Sequence, residues 1–281
     1  MSLPLSWLDV FTDTPLSGNQ LAVVDDADGL SDETMLGFAR ETNLSETTFV
    51  QSPSAEGADY RNRIWMVTGE LPFAGHPSIG TAAAVALRRG EKEASYVQQT
   101  PAGLQPCEVR LHGKRRASAS MLQERASFGD ELDPDELLLA AGLDPGHVHP
   151  ELPPQIVSTG VPQIVFPVRG SLAPARPDGA QLAPLLARHG VVTLYVVNLE
   201  GEEADARSFF MTMTGAREDP ATGSAAGPLM AYAHARLGLD RLVIEQGVVM
   251  GRPSRLECSW EGDRPRVGGE VVLVASGSVD L

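Results

Sequence analysis

The feature that most limits what this chain can fold into is an approximate internal repeat. SGNQLAVV (17–24) resembles TGVPQIVFPV (159–168), which sets Gln20 against Gln163 and Leu21-Ala22-Val23 against Ile164-Val165-Phe166. Further on, GTAAAVALRRG (80–90) resembles GSAAGPLMAYAHARLG (223–238). Gln20 precedes Gly80 by 60 positions, and Gln163 precedes Gly223 by the same 60. Two matches in register imply two similar halves, each with an alanine-rich helix that follows a loop. The Pro- and Asp-rich GDELDPDE (129–136) marks the boundary. The expected halves are therefore 1–128 and 129–281, with the last strand free to cross back to the first half. At 281 residues the chain has ample length for two cores.

Within each half, apolar residues recur mostly at every second position. WLDVF, TTFVQ, CEVRLHG, RASASML, TLYVVNL and EVVLVAS read as half-buried strands. Helices are predicted at 31–42, with Ser31 or Asp32 as N-cap, and at 78–89, 133–142, 179–189 and 222–237. Strands outnumber helices and come in hairpin-like runs. That pattern predicts an α+β fold with antiparallel or mixed sheets rather than a doubly wound parallel one.

Charge narrows the possible partners. The formal net charge of −15 argues against nucleic acid and against an anionic membrane surface. A carboxylate ligand would need local positive potential against this field, and the N-termini of helices supply it without lysine. No apolar run approaches a membrane span. The opening MSLPLSWLDVFTDTP lacks the basic start of a signal peptide. The expected location is cytoplasmic. Cys107 and Cys258 lack the spacing of a disulfide framework or a zinc site. Neither a dinucleotide-binding glycine motif after a strand, nor a P-loop, nor a nucleophile elbow occurs.

Three places can carry chemistry. In ETNLSETTFV (41–50), Glu46 sits where a helix ends and a strand begins. Its ordinary reading is a solvated charge, but catalytic groups often occupy such element ends. In PFAGHPSIG, His76 lies between Gly75 and Pro77, at a loop-to-helix junction. That is a poor place to bury a side chain and a good one to present an imidazole, and the helix N-terminus would favour its neutral form. In REDPATGSAAG (217–227), Asp219 or Thr222 reads as an N-cap, and Gly223 and Ser224 offer backbone amides and a hydroxyl. By the repeat, Gly223 and Ser224 stand opposite Gly80 and Thr81. HVHPE (147–151) sets His147, His149 and Glu151 on one strand face, with no further ligand spacing, so no metal is expected.

Together, ELPFAGHPSIGTA, EDPATGSAAG and SETTFV resemble the PhzF family of phenazine-biosynthesis-like isomerases, which share the diaminopimelate epimerase fold. DVFTDTPLSGNQLAVV and EQGVVMGRPSRL (245–256) are similar to that family too. The resemblance implies two pseudo-symmetric domains, each a curved mixed or antiparallel sheet around a central helix, with the active site between them. It implies a homodimer, no cofactor, and a proton shift of the trans-2,3-dihydro-3-hydroxyanthranilate type. By the matching positions, Glu46 is the general acid/base, assisted by His76 and Asp219. The substrate carboxylate is held at Gly75–His76 and Gly223–Ser224, with Asn19 a further pocket residue.

Two alternatives stay open. A racemase or epimerase of this fold uses facing cysteines at the helix mouths, where this chain has Ala74 and Pro220. A non-catalytic ligand-binding protein would be expected to have lost Glu46, His76 or Asp219. Trp65-Met66-Val67 stand where the family commonly shows an aromatic-Thr-Pro stretch, and a different pocket wall is expected there.

Overall fold

A computed structural model describes all 281 residues. The chain divides into two compact units, Met1–Leu122 with Gly268–Leu281, and Gln123–Val267.

The first unit comprises β1 (Ser2–Val10), β2 (Asn19–Val24), α1 (Asp32–Thr42), β3 (Thr47–Gln51), β4 (Tyr60–Met66), β5 (Gly69–Leu71), α2 (Gly75–Arg89), β6 (Glu93–Thr100), β7 (Gly103–Leu111) and β8 (Arg116–Leu122). β1–β2, β3–β4, β4–β5, β6–β7 and β7–β8 pair antiparallel, whereas β2–β3 and β4–β6 pair parallel. α2 packs against strands from β1 to β8, so the sheet curls around it. Every residue from Gly75 to Ala86 is buried in consequence. A helix enclosed on all sides needs small residues where strands approach closely. A Cβ on Gly80 would lie 2.5 Å from Leu21 Cδ2 and 2.8 Å from Val10 Cγ2. On the other face of the sheet, α1 covers Leu3, Val24, Phe49 and Trp65 with Met35 and Ala39.

The second unit comprises β9 (Ser127–Glu131), α3 (Pro134–Ala141), β10 (Gln155–Ser158), β11 (Pro162–Val168), α4 (Gly179–His189), β12 (Thr193–Glu200), β13 (Glu203–Thr212), β14 (Gly215–Asp219), α5 (Gly223–Leu237), β15 (Arg241–Gln246) and β16 (Ser254–Glu261). The final strand, β17 (Arg264–Asp280), starts here and ends in the first unit, where it pairs with β1. β10–β11, β12–β13, β13–β14 and β15–β16 are antiparallel, and β11–β12 and β13–β15 are parallel. α5 lies on β10, β11, β15 and β16 and is buried from Ala225 to Ala233. Leu182, Leu185 and Leu186 of α4 join Leu137 and Leu138 of α3 over Phe166, Leu194 and Phe209.

All five expected helices form, for local reasons readable in the chain. Ser31 accepts from the Thr34 amide to start α1, Asp133 and Pro134 start α3, and Asp178 caps α4. Gly90, Gly142, Gly190 and Gly238 end four of them in the left-handed conformation. α2 differs from the prediction by starting at Gly75 rather than residue 78.

α2 and α5 each run 15 residues and end on Gly90 and Gly238, so by position within the helix Gly75 stands with Gly223, and His76 with Ser224. Gly80, which the letters set against Gly223, falls five residues inside α2. Another correspondence, unseen in the sequence, lies on the strands. Arg63 of β4 sits over Trp65 and forms a two-pronged pair with Glu70 of β5; Arg207 of β13 sits over Phe209 and does the same with Glu218 of β14.

Candidate active site

α1 ends on Asn43 in the left-handed conformation, three residues before Glu46. The Thr42 hydroxyl lies 2.7 Å from that of Thr47 and donates to the Ala39 carbonyl, which fixes the turn into β3. Successive residues of β3 then face opposite ways. Thr47 and Phe49 face α1, whereas Thr48 meets Thr81 of α2, hydroxyl to hydroxyl, at 2.8 Å. Glu46, two residues before Thr48, projects to the α2 side, and its Oε2 lies 3.5 Å from His76 Nε2. The Glu46 side chain is only 15% exposed, far from the solvated charge that its type would suggest.

His76 is buried, not presented openly as its loop-to-helix position implied. The reason is the curl of the sheet around α2, which covers the first turn along with the rest. Burial pushes the imidazole pKa down to about 3, against a smaller opposing effect from a hydrogen bond with the Gln20 main chain. The neutral form expected from the sequence is thus favoured, chiefly by desolvation. A neutral ring has one N–H and one lone pair. Here Nδ1 lies 3.2 Å from Asn19 Nδ2 and Nε2 faces Glu46, so the ring lies between the two. Asn19 is set in place by the loop before it. There Asp9 Oδ2 accepts from the Leu16 amide, and Gly18 turns with φ of 64°, its Cα so close to the Val10 carbonyl that a Cβ would come within 2.4 Å.

In the second unit, Asp219 ends β14 and Thr222 is the N-cap of α5. The Thr222 side chain does not cap the helix; its hydroxyl donates to Asp219 Oδ2 at 2.6 Å. Gln246, at the end of β15, is buried against this loop. Its Nε2 donates to the Asp219 carbonyl at 2.7 Å and to Thr222 Oγ1 at 3.0 Å. Its Oε1 accepts from the Tyr195 hydroxyl at 2.9 Å and the Thr222 amide at 3.2 Å. Ser254 Oγ donates to the Pro220 carbonyl at 2.9 Å, and Gln123 Nε2 to the Gly223 carbonyl at 2.8 Å. Gly247, with φ of 76°, brings its backbone so close that a Cβ would lie 2.6 Å from the Pro220 oxygen. This clamp escaped the sequence reading. Its one trace in the sequence is EQGVVMGRPSRL, which is similar to the family and holds Gln246, Gly247 and Ser254.

Neither α2 nor α5 has a side-chain cap; Ala74 and Thr222 leave the first amides to other partners. Gly75, His76, Gly223 and Ser224 occupy those first two positions.

Other sequence candidates resolve differently. Cys107 and Cys258 are buried on β7 and β16, Cys258 with its Sγ 3.9 Å from the Ala226 carbonyl of α5, and burial pushes the Cys258 thiol well up. His147 closes a 3₁₀ turn (Pro145–His147), so the expected strand face of His147, His149 and Glu151 does not exist. His149 Nδ1 instead accepts from the Glu151 and Leu152 amides. Trp65 packs beside Phe49 and Met35 on the α1 side, opposite the face of Thr48 and Thr81.

The family model for phenazine biosynthesis-like proteins matches residues 8–277. The chain belongs to the PhzF family. It is 37% identical to an uncharacterized isomerase of Mesorhizobium japonicum, with 96% of each chain covered. It is 36% identical to trans-2,3-dihydro-3-hydroxyanthranilate isomerase of Pseudomonas aeruginosa, covering 92% of this chain and 91% of that one. A phenazine biosynthesis protein of the PhzF family from Bacillus anthracis superposes over all of both chains, with a TM-score of 0.87 and 26% identity. This protein is accordingly a PhzF-like isomerase, with mixed sheets and five helices. None of its helices is long and apolar enough to cross a membrane.

Proposed function

We propose that this isomerase moves a proton between two carbons of a small carboxylate substrate of the trans-2,3-dihydro-3-hydroxyanthranilate type, with Glu46 as the general acid/base. The observation that carries the reading is the approach of Glu46 Oε2 to His76 Nε2 at 3.5 Å, in a setting where both side chains are largely withdrawn from water. A carboxylate accepts the proton from one carbon, and the resulting carboxylic acid returns a proton to another. No net charge or electron is left over, so the chemistry calls for no cofactor. Desolvation suits Glu46 to both halves of this cycle, since it narrows the gap between its charged and neutral forms. The neutral His76 ring, held by Asn19, orients the carboxyl group and follows its change of charge.

In this reading Asp219 assists the transfer. The amides of Gly75–His76 and Gly223–Ser224 hold the substrate carboxylate, which explains how a chain of charge −15 binds an anion without lysine. The two units are taken as copies of one ancestral half, a view supported by their matching strand pairings and by the Arg63–Glu70 and Arg207–Glu218 pairs. The resemblance adds a homodimer, and the reading of the N-terminal residues adds a cytoplasmic location.

The test is turnover of trans-2,3-dihydro-3-hydroxyanthranilate by the parent and by Glu46→Gln. The amide should lower kcat by roughly 100- to 10,000-fold. An unchanged rate would exclude Glu46 as the acid/base.

A further inference from the structure

We infer that Gln246 is a positioning residue for Asp219, acting through the hydroxyl of Thr222. The inference rests on the reading above only in taking Asp219 as a working group of the site.

The hydrogen-bond inventory carries the argument. A glutamine amide offers two donors and two acceptor positions. At Gln246 all four are taken in a buried setting: Oε1 by the Tyr195 hydroxyl and the Thr222 amide, Nε2 by the Asp219 carbonyl and Thr222 Oγ1. Flipping the amide would set its NH₂ against the Thr222 amide N–H and its oxygen against the Asp219 carbonyl, and neither backbone group can reverse its role, so one orientation is fixed. Tyr195 is fully enclosed, and burial holds its hydroxyl in the protonated, donating form.

This orientation has a consequence at Thr222. Its oxygen receives a hydrogen from Gln246, so its own single hydrogen is free to be given, and the acceptor at 2.6 Å is Asp219 Oδ2. Threonine at an N-cap usually turns its oxygen toward the amides of its helix. Here it makes no such bond, and the hydroxyl is committed to the carboxylate instead. Donation runs one way along the chain, from Tyr195 to Gln246 to Thr222 to Asp219, and each bond polarises the next. The result is a carboxylate held in one rotamer, with its ionised form favoured.

Carbon-13 NMR of the Asp219 carboxyl tests this directly, with the signal assigned by its loss in Asp219→Asn. Thr222→Val keeps the shape and removes the donor, whereas Thr222→Ser keeps the donor. Gln246→Glu puts an acceptor where Nε2 was and draws the Thr222 hydrogen away. The Asp219 titration midpoint should rise by about one pH unit in Thr222→Val and in Gln246→Glu, and stay in place in Thr222→Ser. The acidic limb of the pH–rate profile should move with it, and kcat should fall about tenfold in the first two variants with Thr222→Ser near the parent. A parent-like midpoint in either Thr222→Val or Gln246→Glu would overturn the inference, and Thr222→Val keeps it open to refutation even if Gln246→Glu fails to fold. A raised midpoint in an enzyme that turns over no dihydro-hydroxyanthranilate would uphold the positioning role and remove the functional reading.

Discussion

His76 Nε2 and Glu46 Oε2 face each other at 3.5 Å, joining the first turn of α2 to the residue before β3. Thirty positions separate them in the chain, and the contact exists because β3 alternates its side chains and α2 lies on only one face of it. This juxtaposition is thus a product of sheet geometry.

The buried imidazole makes a prediction about pH. With a folded pKa of about 3 against 6.5 unfolded, His76 binds a proton in the unfolded chain over a range where the native protein does not. Its contribution to stability is complete above pH 6.5 and is lost as pH falls from there towards 3. Urea unfolding of the parent should lose up to about 1.4 kcal/mol per pH unit more than His76→Asn across that window. Nitrogen-15 shifts of the ring should be those of neutral imidazole at pH 5 and at pH 8 alike. A titration of the native ring near 6.5 would contradict the account.

The Thr48–Thr81 pair ties β3 to α2 beneath this site, with both hydroxyls buried 2.8 Å apart. Either Thr48→Val or Thr81→Val strands one hydroxyl and should cost about 1–3 kcal/mol. The double variant removes both polar groups and should cost less than the sum of the two singles. Urea denaturation of the four proteins measures the coupling, and strict additivity would show that the two hydroxyls do not depend on each other.

The arginine pairs differ from ordinary surface salt bridges. Arg207 is buried, bonds Glu218 through two nitrogens, and also donates to the Leu172 and Ala175 carbonyls. Glu218→Ala leaves a buried charge without its counterion and should cost about 3–5 kcal/mol. Breaking the exposed Arg110–Glu93 pair should cost less than about 1 kcal/mol. Equal losses at the two places would refute the distinction.

Gly80 is where α2 meets the sheet most closely. Gly80→Ala gains helix propensity, yet its Cβ would collide with Leu21 and Val10, both fully buried. Overpacking should win and destabilise the protein by about 1–3 kcal/mol. A thermal melt showing a more stable variant would mean that the sheet can yield.

Much of this was legible in the chain. Ser31, Asp133 and the terminal glycines are local signals, and they placed the helices to within a few residues. The stretches around Glu46, His76 and Asp219 identified the family. The burial of His76 was not legible, because it depends on strands from β1 to β8 wrapping one helix. GTAAAV and GSAAGP match in letters, yet the first lies five residues inside α2 and the second starts α5, a difference that only the helix starts reveal. Gln246 was invisible because its partners, Tyr195, Asp219 and Thr222, come from separate elements and meet only after folding.

The central claim is that Glu46 carries the proton from one carbon to another. Proton NMR of trans-2,3-dihydro-3-hydroxyanthranilate in D₂O, with the parent and with Glu46→Gln, tests it most directly. The account predicts deuterium at a ring carbon of the product with the parent, and neither product nor label with the variant. Product formed at the parent's rate by Glu46→Gln would contradict it.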